Sequence, residues 1–109
     1  MTAGSAIEII EDEFFRKGWY KLPNYYSVSR GEFEQASYQI WAIKEIKRAI
    51  RLYSDRSPID VVEVFTKQMN SYSCSGKDGS IIFSIAKDVG EHALDVLIRY
   101  SREEQRWVI

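Results

Sequence analysis

The stretch from Ser29 to Tyr53 constrains the fold most, because it is the longest unbroken run of helix-forming residues with one coherent apolar face. At about 3.6 residues per turn, Phe33, Ala36, Ile40, Ile43, Ile46, Ile50 and Tyr53 fall on one broad stripe. Lys44, Lys47, Arg48 and Arg51 follow the spacing i, i+3, i+4, i+7 and share a basic face beside it. A rod of this kind gains most of its stability by burying its greasy side against other elements. The flanking sequence must therefore supply partners of the same type.

It supplies three more amphipathic segments. Met1 to Gly4 is expected to fray, and Ser5-Ala6-Ile7-Glu8 matches a capping box, with Ala6, Ile7, Ile10 and Phe14 on one face of the helix that follows. Asp12 with Arg16, and Glu13 with Lys17, are acid-before-base pairs one turn apart, and Gly18 is placed to end the helix in a left-handed conformation. Ser29-Arg30-Gly31-Glu32 repeats the capping pattern and opens the long helix. Ser57-Pro58 then reads as a cap followed by a first helical residue, with Asp60 near the positive end of the dipole. The third helix should run from Pro58 to about Tyr72, with Val61, Val62, Phe65, Met69 and Tyr72 inward and Glu63 paired with Lys67 on the solvent side.

Ser73 to Ser80, with Lys77-Asp78-Gly79, carries loop signals throughout. From Ser80, Ile82, Ala86, Val89, Ala93, Leu97 and Tyr100 line up on a fourth helix, with Ile85 and Val96 on the shoulder. Gly90 interrupts that helix at a cost of about 1 kcal/mol relative to alanine, which points to close approach of another helix there. The expectation is an all-α fold, a compact bundle of about four helices in a single domain over residues 1–109. The alternative is α+β, with a short two-stranded piece made from residues 19–22 and 106–109.

Charge and cysteine usage narrow the setting. The net charge is -1 with a pI near 5.8, so no global field draws the chain to nucleic acid or anionic lipid. Locally the balance shifts: residues 1–15 carry four acids and no base, and residues 16–56 carry nine bases against four acids. The one cysteine, Cys74, cannot form an internal disulfide, which fits a reducing compartment. Apolar runs are far shorter than the roughly 20 residues a membrane span needs, and acids interrupt the N-terminus where a secretory signal would be apolar. We expect a cytoplasmic protein with no membrane contact.

Catalytic patterns are weak. His92, the single histidine, stands in a D-x-x-x-H-x-x-D spacing with Asp88 and Asp95, a set that could touch one cation but falls short of the four ligands of a zinc site. Cys74 follows a helix end, which does not activate a thiol. No nucleophile elbow or phosphate loop is present. We therefore expect no catalytic residue, metal, cofactor or small-molecule substrate.

Two surfaces remain as binding candidates. Trp19, Tyr20, Tyr25, Tyr26 and the distant Trp107 offer aromatic side chains to a protein partner or a second copy; the competing reading is that the 19–28 rings cap the helical core. Trp41, Lys44, Lys47, Arg48 and Arg51 combine an indole with cations, a surface that suits weak, salt-sensitive nucleic-acid binding. Against it, Glu45 can pair with Arg48, Asp55 can reach Arg51, and the acidic first helix can cover the face.

Ser57-Pro58-Ile59-Asp60 through Met69-Asn70-Ser71-Tyr72-Ser73-Cys74, followed by Phe83-Ser84-Ile85-Ala86-Lys87-Asp88 and Leu94-Asp95-Val96-Leu97-Ile98, resembles small uncharacterised bacterial proteins, some carried on mobile elements. The resemblance covers the C-terminal half and implies a bacterial origin and a helical pair as the common unit, with no activity or ligand attached. The functional expectation is a small non-enzymatic interaction or regulatory protein that binds a protein partner or itself. The alternative is a weak nucleic-acid-binding regulator acting through the basic face of the 30–53 helix.

Overall fold

The computed structural model describes residues 2–21, 27–71 and 77–100, apart from the side chains of 77–81 and 100. Four helices follow one another: α1 (Ala3–Lys17), α2 (Arg30–Leu52), α3 (Pro58–Ser71) and α4 (Lys77–Tyr100). No strand occurs among the described residues, and the protein is an all-α four-helix bundle. Of the alternative two-stranded piece, Trp19 and Tyr20 lie in a turn, while Leu22 and residues 106–109 fall outside the described residues.

Capping chemistry sets the helix boundaries, with one correction at the start. The first helix begins at Ala3 rather than after Ser5, because the Thr2 hydroxyl already accepts the Ser5 backbone N–H at 3.1 Å. Ser5 becomes the third helical residue, and Ala3 and Gly4 are helical rather than frayed. Ser29 and Ser57 cap as expected, accepting from the amides of Glu32 and Asp60, each at 3.2 Å. Gly18 ends α1 at φ 85°, a conformation that a side chain would strain. The Gly18 and Trp19 amides then donate to the carbonyls of Phe15 and Phe14, both at 3.0 Å, and this reversal carries Trp19 back over the end of α1.

A second correction concerns α4. It opens at Lys77, so Lys77-Asp78-Gly79 belongs to a first helical turn and not to a loop.

The core takes Ala6, Ile7, Ile10 and Phe14 from α1, and Ala42, Ile43, Ile46, Ala49 and Ile50 from α2. Val61, Val62, Phe65 and Met69 come from α3, and Ile85, Ala86, Val89, Ala93, Val96 and Leu97 from α4. Phe33, Ala36 and Ile40 share the expected stripe on α2 but are only half-buried. All three lie in the N-terminal half of α2, which at 23 residues is longer than the 14-residue α3.

Both α1 and α3 pack on α2 and α4 without meeting each other. Ion pairs hold α1 on both sides, Glu11 with Lys47 of α2 at 2.5 Å and Glu13 with Arg99 of α4 at 3.3 Å. Glu13 thus serves a contact between helices, where the sequence pointed to Lys17 within its own helix. Among the described residues, no helix is long and apolar enough to cross a membrane.

Candidate functional site

Trp19 is part of the interior. Only 6% of it is exposed, its ring centroid lies 4.9 Å from that of Phe14, and it meets His92 at 5.4 Å nearly edge-on. His92 closes the triangle by stacking on Phe14 at 5.2 Å. Lys17 lies over the indole with its ammonium 4.4 Å from the ring centroid. The turn at Gly18 folds Trp19 onto the core, so it offers no recognition surface and leaves the set of aromatic contact candidates. Tyr20 is half-buried and packs against the same core. Its hydroxyl is buried without a hydrogen-bond partner, and burial, aided by the Glu11 charge, pushes its pKa up to about 12. Tyr25, Tyr26 and Trp107 lie outside the described residues.

The histidine cluster does not assemble. The His92 ring turns toward Phe14 and Trp19, whereas Asp88 and Asp95 are exposed. Its Nε2 is buried with no hydrogen-bond partner, and burial lowers the imidazole pKa, with the Lys17 charge acting in the same direction. Among the described residues, no group of three or more His, Cys, Asp or Glu side chains is placed to hold a metal ion. Cys74 falls outside the described residues.

The basic face of α2 is covered along one edge. Lys47 is taken by Glu11 of the acidic first helix, while Lys44, Arg48 and Arg51 stay exposed. Arg48 lies 3.8 Å from Glu45 with 65% of its side chain in solvent, a pair worth little in water. Trp41, expected beside these bases, is half-buried and packs against the core cluster, so only part of its ring is open to a ligand.

A further surface stands out only in three dimensions. Between α3 and α4 runs an open groove of about 440 Å³, with Val62, Thr66, Gly90 and Leu94 along it and Phe83 at one end. Its floor is set by Gly90, where an added Cβ would come within 3.0 Å of the Thr66 hydroxyl oxygen and 3.3 Å of the Phe65 ring. The expected close approach over Gly90 is therefore made by α3. Thr66 donates its hydroxyl to the Val62 carbonyl at 2.9 Å, so it adds no unmet donor to the groove. Glu63, Lys67, Lys87 and Glu91 form the rim. No ion pair joins these four among the described residues, so the expected Glu63–Lys67 pair does not form. Phe83 is 42% exposed. In the sequence, Gly90 signals the close approach at the floor, whereas the open channel has no signal beyond Phe83 off the inward line of α4, and a single apolar residue on an outer face is too common to read alone.

Set against models of known protein families, curated proteins and solved structures, the chain matches none of them.

Proposed function

We propose that this protein is a non-enzymatic interaction domain that binds a protein surface through the face formed by α3 and α4. The observation that carries the reading is the groove itself: an open apolar channel between two helices, edged by exposed charges, with Phe83 standing at its end. Helical segments dock in such channels by laying apolar side chains into them while charged rims fix the register. The burial of Trp19 and the partial burial of Tyr20 take those two rings out of consideration as a main contact surface, which supports placing the contact on this face.

The test is site-specific crosslinking in cells that make the protein. A photoreactive phenylalanine analogue at position 83 is expected to give a discrete adduct, either to a second copy or to one identifiable protein. The same analogue at position 15, where Phe15 is 71% exposed on α1, is the control. Thr66→Arg, which fills the groove, should abolish the adduct. Equal labelling from both positions would defeat the reading.

A second reading is favoured by the exposure of Lys44, Arg48 and Arg51 on one side of α2. Here the domain binds a nucleic-acid backbone weakly, with affinity that falls as salt rises and falls again in the double reversal Arg48→Glu, Arg51→Glu. Absence of binding to DNA and RNA at low salt would remove it.

A further inference from the structure

The α3–α4 groove carries its charges in sorted order. Contact between Gly90 and Thr66 fixes the register of the two helices, which run antiparallel because only residues 72–76 join them. In one direction from that crossing stand Glu63 on α3 and Glu91 on α4; in the other stand Lys67 and Lys87. At about 1.5 Å per residue, Glu63 and Lys87 lie roughly 4.5 Å along the axis from the crossing, and Lys67 and Glu91 roughly 1.5 Å. One half of the rim is therefore acidic and the other basic. All four side chains are exposed.

The apolar residues follow the same symmetry. On the α4 stripe that helical spacing draws through Gly90 and Leu94, Phe83 lies seven residues before Gly90 and Ile98 eight residues after it, and 42% and 37% of their surfaces are exposed. Read in either direction from Gly90, this stripe gives a charge of one sign and then a large apolar side chain.

We infer that the occupant of this face is a second copy of the chain, related by a two-fold axis that lies in the interface and crosses the groove at right angles over Thr66 and Gly90. The inference rests on the groove being an interaction surface and adds the identity and orientation of what it holds. That axis sets the acidic half of one protomer on the basic half of the other. Glu63 then meets Lys67 across the interface, Glu91 meets Lys87, and each contact occurs twice, as symmetry requires. Phe83, roughly 10 Å from the axis, is carried to the stretch between Leu94 and Ile98 of the other copy, covering apolar surface that one chain leaves in water. An axis running along the groove would instead place acid on acid and base on base, which like-charge repulsion forbids.

Sedimentation equilibrium of the full chain tests this. Wild type should self-associate to twice the 12.7 kDa chain mass. The pair Glu63→Lys, Glu91→Lys makes the whole rim basic, and Lys67→Glu, Lys87→Glu makes it acidic. Each variant alone should associate at least about tenfold more weakly than wild type, and mixing the two should restore a two-chain particle. Recovery on mixing shows that both variants are folded. A wild type that stays monomeric at the highest concentration it tolerates overturns the inference, as does self-association that neither reversal weakens. In the first case, a position-83 adduct to a different protein would leave the interaction reading standing while the dimer falls.

Discussion

Gly90 and His92 are two residues apart on α4, and they look toward different neighbours. His92 faces α1, where Phe14 and Trp19 fill the space with ring surface and Lys17 lies across the outside. Gly90 faces α3, where the absence of a side chain lets Thr66 and Phe65 approach and leaves an open channel above them. The first flank is closed by large aromatic volume at centroid separations near 5 Å, and the second is held together at a flat floor with its upper rim free. One helix thus offers a finished side and an unfinished one. The open side leaves apolar surface in solvent, whereas Phe14, Trp19 and His92 make their ring contacts with one another.

The largest expected effect is on the closed flank. Phe14 is fully buried and touches both other rings, so Phe14→Ala should cost about 3 to 5 kcal/mol in urea unfolding. Phe83→Ala removes a ring of the same size from the open flank and should cost less than about 1 kcal/mol under conditions where the chain is monomeric. Similar losses from the two variants would break the contrast between the flanks.

Next in size is the floor of the groove. Gly90→Ala gains about 1 kcal/mol of helix propensity but sets a methyl group 3.0 Å from the Thr66 oxygen and 3.3 Å from the buried Phe65 ring. Overpacking of this kind costs about 1 to 3 kcal/mol, so the net result should be a loss of about 1 kcal/mol. In a Thr66→Ala background the nearest clash is gone and the loss should shrink. A Gly90→Ala variant more stable than wild type would mean that the floor is slack.

Local chemistry and periodicity explain which of these features could be read from the chain. Each face whose residues recur at helical spacing was legible: Ala6, Ile7, Ile10 and Phe14 are the buried residues of α1, and Ser29 and Ser57 cap the helices they precede. Gly90 announced a close approach because a mid-helix glycine needs a reason. Competition between nearby caps was less legible, and Thr2 pre-empted Ser5 by offering its hydroxyl three residues earlier. The half-burial of Phe33, Ala36 and Ile40 depends on what the neighbouring elements cover, which the periodicity of α2 does not record. The fate of Trp19 depended on a turn at Gly18 that points the ring inward, and the groove on the register between α3 and α4. Both are relations between elements, beyond the reach of a pattern within one.

A smaller effect, confined to one titration, tests whether the closed flank is dry. His92 is held neutral chiefly by burial and then by Lys17, with Arg99 in the same sense and with Glu13 and Asp95 opposing. Its folded pKa lies below the ordinary imidazole value of 6.5, so below pH 6.5 the unfolded chain binds more protons. This group's contribution to stability is therefore complete above pH 6.5 and is lost as pH falls toward the lowered folded pKa. Melting curves of wild type should show that decline, and His92→Phe should flatten it. An unchanged slope in the variant would mean that water already reaches the ring.

The smallest effect has an unusual sign. Tyrosine-to-phenylalanine changes in cores normally cost about 1 kcal/mol, because a hydrogen bond is lost. The Tyr20 hydroxyl is buried beside Glu11 with no partner, so the folded state desolvates it without compensation. Tyr20→Phe should be neutral or stabilising by up to about 1 kcal/mol at pH 7. The ionisation gives an independent readout: with the pKa moved from 10.0 to about 12, the unfolded state releases its proton first. Wild type should therefore lose this group's contribution as pH rises from about 10 to about 12, and Tyr20→Phe should lose less over the same interval. A destabilised Tyr20→Phe variant at neutral pH would mean that the hydroxyl has a hydrogen-bond partner, making the aromatic flank less finished than the open channel opposite it.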